Sequence, residues 1–172
     1  MVLERNPISD DRGWLERLFC AEELLAAGVS KKIVQINRTL TQKKGSIRGM
    51  HFQYPPDAEI KIVTCLKGSI FDVAVDLRSG SETFLEWHSE VLTKDNHRSL
   101  VIPEGFAHGF QTMTDECELL YLHTAAYSSR SEGALNALDK ALGIEWPLPV
   151  GERSERDMNH PMIDSKFNGI VL

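Results

Sequence analysis

Residues 59–77 read EIKIVTCLKGSIFDVAVDL, two runs rich in β-branched and apolar residues parted by Lys67-Gly68. Such runs bounded by a glycine turn read as consecutive strands. Neighbouring side chains on a strand point to opposite faces. Lys61, Val63 and Cys65 therefore share one face, and Ile60, Ile62 and Leu66 the other. Both faces are apolar, so the strand is expected to be covered on each side, with Lys61 partly buried. A lysine so placed needs a partner or a task. In the second run Asp72 and Asp76 share a face.

Further short β-rich runs lie outward from this pair: KIVQIN (32–37), FLEWHSEVL (84–92), RSLVIP (98–103), GFQTMT (109–114) and CELLYLHTA (117–125). Turn signals punctuate them at Asp10-Asp11-Arg12-Gly13, Pro55-Pro56-Asp57, Ser79-Gly80-Ser81 and Pro103-Glu104-Gly105. Many short strands with few helical patterns predict an all-β sandwich or barrel. One helix is expected over Ala21–Ala27, stopped by Gly28, and a second short one over about Asp139–Leu142 before Gly143. Pro103 is expected at the second position of a type I turn that delivers His108 into the next strand. A chain of 172 residues suits one domain, 1–172, with a core barrel over about 30–130. The polar stretch from Pro147 to 172 is expected to wrap its surface.

With 42% hydrophobic and 26% charged residues, the composition is that of a globular chain rather than a disordered one. A net charge of −6 disfavours nucleic acid as a partner, so an anionic ligand must be held by a few local cations. Cys20, Cys65 and Cys117 form no CxxC pair, which fits reduced thiols in a cytoplasm. The start, MVLERNPISDDRG, is charged where a signal peptide needs an apolar run, and no run approaches the roughly 18 residues of a membrane span.

The reactive groups concentrate in GSIRGMHFQ (45–53), IPEGFAHGF (102–110) and CELLYLHT (117–124). Plain alternation puts His51 and Gln53 on one face, opposite Arg48, Met50 and Phe52; it puts Leu119, Tyr121 and His123 on a common face. Two chemistries compete. A metal-dependent oxidoreductase would use His51 and His108, although Gln53 stands where the second histidine of an HxH pair belongs. Proton transfer would use His51 as a base oriented by a carboxylate such as Asp72 or Asp76, Tyr121 as a neutral donor, and Lys61 to steady an enolate. Read singly, His51 and Tyr121 also suit a packed core, and His108 a loop cap. His88, His97, His123 and His160 have no assigned role, and no Gly-rich dinucleotide fingerprint follows a strand.

At these residues the sequence resembles the dTDP-4-dehydrorhamnose 3,5-epimerases of the cupin (RmlC-like) fold. The matching blocks are DDRGWLERLF, VQIN, GSIRGMHFQ, IKIVTCLKGSIFDVAVDLRSGS, VIPEGFAHGF, ELLYLHTAAY, LGIEWP and SERD, in family order across nearly the whole chain. The resemblance implies a cupin-type jelly-roll β-barrel, a homodimer, no cofactor or metal, and a nucleoside-diphosphate 4-keto-6-deoxyhexose as substrate. The nucleotide (dTDP, CDP or GDP) and the choice of C3, C5 or both stay open. The resemblance also implies His51 as the base, Asp157 in SERD as the carboxylate behind it with Asp76 second, Tyr121 as the opposing acid, and Lys61 beside the C4 oxygen. It further implies that Arg12, Gln35, Asn37, Arg48, His108, Glu132 and Arg156 contact substrate, and that Tyr127 stacks on the base. On that reading the metal alternative becomes a metal-dependent cupin using His51 and His108.

Overall fold

The computed structural model describes residues 1–172. Its strands are β1 (Val2–Glu4), β2 (Ile8–Asp10), β3 (Gly13–Leu15), β4 (Gln35–Thr41), β5 (Ile47–Gln53), β6 (Lys61–Lys67) and β7 (Ser69–Asp76). There follow β8 (Trp87–Thr93), β9 (Arg98–Ile102), β10 (Phe106–Thr112), β11 (Cys117–His123) and β12 (Glu132–Ala134). The helices are α1 (Ala21–Ala26) and α2 (Glu155–Met158). Two five-stranded sheets, β1-β9-β6-β11-β4 and β12-β5-β10-β7-β8, make a jelly-roll barrel, and β2–β3 forms a separate hairpin. None of the helices is long and apolar enough to cross a membrane.

Three apolar layers follow from strand alternation. The inner layer joins Val63, Cys65, Leu119 and Tyr121 of the first sheet to Ile70, Ala74 and Phe110 of the second. Outside the second sheet, Ile47, Met50, Phe52, Val73 and Val75 pack against Leu135, Leu142, Trp146 and Ile170 of the chain after β12. Outside the first sheet, Ile62, Val101 and Leu122 pack against Val29 and Leu24. Lys61 is a charged group on an inner face, as its apolar strand predicted, and Asp72 of β7 is another.

The local departures have local causes. Residues 139–142 form a turn rather than the expected helix. The Asp139 carboxylate caps this turn through the Ala141 N–H, the Leu142 and Gly143 N–H groups bond to the Asp139 carbonyl, and Gly143 at φ +58° ends it after that single turn. At 103–106, Phe106 N–H bonds to the Pro103 carbonyl, which makes Pro103 the first turn residue and Gly105 (φ +77°) the third, the pattern of a type II turn. FLEWHSEVL becomes strand only from Trp87, because Leu85 turns at φ +67°.

Asp76 closes β7 and is 1% exposed. It accepts from Arg78 (backbone N, Nε and Nη2) and from the Ser81 and Thr83 hydroxyls. Burial acts to raise its pKa, but these donors win and hold the carboxyl far below the usual range. A depressed folded pKa contributes stability above the unfolded value, near 4, that is lost as pH falls through the folded value. Asp76→Asn is therefore expected to cost about 3 kcal/mol at neutral pH. In urea unfolding, the gap to the parent should narrow steadily below pH 5; a gap of constant size down to pH 2 would contradict this account.

Candidate active site

Both sheets send polar side chains to one end of the barrel interior. The first sheet contributes Gln35 and Asn37 from β4, Lys61 from β6 and His123 from β11; the second contributes His51 and Gln53 from β5. With Glu59, Tyr127 and Glu132 they line an open cavity of about 380 Å³. His108 of β10 opens on a small adjoining recess that Lys61 and Glu59 also line.

Arg48 departs from the expected alternation. His108 stands opposite His51 and Phe110 opposite Arg48, so β5 spends one residue more than β10 across the same interval. That is a β-bulge, and it flips the face of everything beyond it. Ile47 and Met50 accordingly both lie in the outer core. Arg48 turns to the inner side with His51, its Nη1 3.4 Å from Thr41 Oγ1 at the end of β4. Gly49 at φ +131° makes the bulge possible, because a Cβ there would stand 2.5 Å from the Gly109 Cα.

His51 Nε2 lies 2.8 Å from Asp157 Oδ1, which leaves Nδ1 as the nitrogen without a protein partner. Asp157 sits on α2, capped by Ser154, whose Oγ accepts the Asp157 N–H. Burial works against the Asp157 charge, but the His51 hydrogen bond and the surrounding positive groups hold its pKa below the carboxylate norm. His160 Nε2 shares the same oxygen at 3.2 Å. His51, Asp157 and His160 are thus close enough to ligate one cation, whereas His108 stands apart with its own carboxylate, Asp72, at 2.6 Å. Burial pushes His108 down despite Asp72, which keeps it neutral. Asp76, the alternative partner for His51, is engaged with Arg78 instead; the carboxylate at His51 is Asp157.

Across the cavity, Glu59 joins two groups: its Oε2 is 2.7 Å from His123 Nδ1 and its Oε1 3.4 Å from Lys61 Nζ. Tyr121 lies one step deeper than His123 on the same face of β11, with ring centroids 6.0 Å apart, and 6.1 Å from His108. Burial, reinforced by the Asp72 charge, pushes its phenol well up, so it stays protonated. At the mouth, exposed Tyr127 donates its hydroxyl to Glu132 Oε2, Glu132 pairs with Arg156, and the Tyr127 N–H bonds to Gln35 Oε1.

Of the residues singled out in the sequence, Arg12 lies outside the barrel interior; Tyr121 and Arg48 are inside it but deeper than the cavity lining, Arg48 reaching Thr41 at the opposite end of β4 from Gln35. Arg12 is on the β2–β3 hairpin, 89% exposed and paired to Asp10. Glu59, His123 and His160 belong to the cavity and its supports although the sequence reading assigned them nothing. Alternation from Tyr121 to His123, and from Lys61 back to Glu59, was the available signal.

The model of the dTDP-4-dehydrorhamnose 3,5-epimerase family matches residues 1–165. The chain belongs to the dTDP-4-dehydrorhamnose 3,5-epimerase family. It is 42% identical over 168 residues to the dTDP-4-dehydrorhamnose 3,5-epimerase of Salmonella typhimurium, covering 95% of this chain and 90% of that one. The Bacillus anthracis dTDP-4-dehydrorhamnose 3,5-epimerase, solved with TDP and PPi bound, superposes with a TM-score of 0.91 at 37% identity, over 94% of this chain and 93% of that one. A Legionella pneumophila dTDP-6-deoxy-D-glucose-3,5-epimerase, solved with dTDP-4-keto-L-rhamnose, gives 0.91 at 34% identity, over 99% and 93%. As a member of this 3,5-epimerase family the chain is an isomerase, and the metal-dependent oxidoreductase reading is not favoured.

Proposed function

We propose that this epimerase acts on a nucleoside-diphosphate 4-keto-6-deoxyhexose, with dTDP as the nucleotide, inverting C3, C5 or both. The observation that carries the proposal is His51, backed by Asp157, on one side of a cavity whose other side holds Lys61. The C4 carbonyl acidifies the neighbouring C–H bonds. His51 Nδ1 takes one of these protons while Asp157 steadies the imidazolium that forms. The electron pair moves to the carbonyl oxygen, where the Lys61 ammonium stabilises the enolate. Tyr121, kept protonated by burial, returns a proton to the carbon from the other face. No cofactor enters this scheme.

The remaining positions bind. Tyr127 offers an exposed ring at the cavity mouth for the base, held in place by Glu132. Arg48 and Arg156 are the cations for the diphosphate; Gln35, Asn37 and His108 contact the sugar. Arg12 needs a second copy of the chain for its substrate role, because it lies outside the cavity of its own barrel. The hairpin that carries it exposes Ile8, Trp14 and Leu15, an apolar ribbon suited to burial in a homodimer. Sedimentation velocity tests the dimer, and a purely monomeric species would remove it. Three free cysteines fit a cytoplasmic setting.

Incubation with dTDP-4-keto-6-deoxyglucose in deuterated water is expected to wash label into C3, C5 or both, read by NMR. A folded sample that binds dTDP yet exchanges no proton would end this reading.

A further inference from the structure

His51 is not the only carboxylate-backed imidazole on the cavity. His123 lies on β11, in the sheet that faces β5, and lines the same space. Its side chain, Glu59 and Lys61 are only 11%, 10% and 12% exposed. Taking ionised groups this far from water costs several kcal/mol each before pairing. Closing the barrel requires no such groups: deeper on the same two strands, Val63, Cys65 and Leu119 fill the inner face. Burial works against the Glu59 charge, yet the His123 hydrogen bond and the Lys61 ammonium keep that carboxylate ionised. Glu59 occupies Nδ1 of His123 and so directs Nε2 toward Asn37 and the cavity. In an imidazolium both ring nitrogens donate, and an amide can turn its oxygen to accept.

We propose that His123, backed by Glu59, is a second proton donor for the epimerisation, acting from the side opposite His51. The proposal rests on the reading of His51 as the base. His51 removes the proton beside the carbonyl, and the electron pair becomes the enolate at Lys61. As the C=O bond re-forms, the carbon takes the Nε2 proton of the His123 imidazolium on its other face. His51 ends protonated and His123 neutral; one proton lost to water and one gained restores both. β11 thus presents two donors on one face, Tyr121 deep and His123 at the cavity.

A donor on the far side governs inversion, not proton removal. With His51 intact, a proton exchanged with solvent can return from the side it left. In deuterated water with dTDP-4-keto-6-deoxyglucose, His123→Asn is expected to hold label wash-in within about threefold of the parent while net inversion at C3, C5 or both falls about tenfold or more. Glu59→Gln keeps an acceptor for Nδ1 but removes the charge, and the same split is expected. Calorimetric dTDP binding identifies whichever variant has kept its fold. Inversion that keeps pace with exchange in such a variant overturns the proposal. So does an equal loss of both, which would make the pair a support for Lys61. A parent enzyme that inverts nothing and exchanges nothing would instead bring down the His51 reading, and the second donor with it.

Discussion

His51→Ala is expected to lower solvent-deuterium exchange into the 4-ketosugar by about 10³–10⁴-fold, the upper range for losing a general base. The other titratable groups in or beneath the cavity are already engaged or protonated. Lys61 is paired with Glu59, His108 donates to Asp72, and Tyr121 is held neutral by burial. None can take over proton removal from the face that His51 covers. The fold is expected to survive, with a stability change of about 1–2 kcal/mol. The ring is about a third exposed, and Asp157 keeps His160 as a partner. dTDP binding should therefore persist while exchange disappears. Near-native turnover by this variant would mean that the base lies elsewhere.

The second large effect is on the frame. Gly49→Ala puts a Cβ at φ +131°, 2.5 Å from the Gly109 Cα and 2.8 Å from the His108 carbonyl oxygen. Both obstacles are backbone atoms of the neighbouring strand, so no side-chain rotation relieves the clash. Left-handed strain adds to it. A loss of about 3 kcal/mol or more is expected, read as a lower urea midpoint. Molecules that still fold must shift β5 against β10, which moves Arg48 and His51 together; activity should drop further than stability accounts for. A loss below about 1 kcal/mol with full activity would show that the bulge is not needed.

The fold was legible where strands are long and alternate. β6, β7 and β11 could be read from their own residues, and Lys61 announced itself as a charge inside an apolar run. Three-residue strands escaped. β1, β2, β3 and β12 are too short for alternation to show, and β12 (Glu-Gly-Ala) is a strand only because β5 pairs with it. The bulge at Gly49 was hidden for a related reason: nothing in RGMH says that the period slips by one. The helix expected at 139–142 is cut to one capped turn because Gly143 takes a left-handed conformation directly after it.

Of the proposed catalytic groups, residue types came from the chain and the contact distances from the fold. Periodicity alone placed Tyr121 with His123 and Lys61 with Val63, because alternation is a property of adjacent peptide units. The Asp157–His51 contact, which the resemblance implied and no local pattern shows, joins residues 106 apart, and the Glu59–His123 contact joins residues 64 apart. Such contacts depend on which sheet edges meet and how the barrel closes, and no local pattern encodes them. Sequence determined the strands and the chemical inventory of this protein; tertiary structure decided which imidazole each carboxylate serves, because only packing brings distant charges within hydrogen-bonding reach.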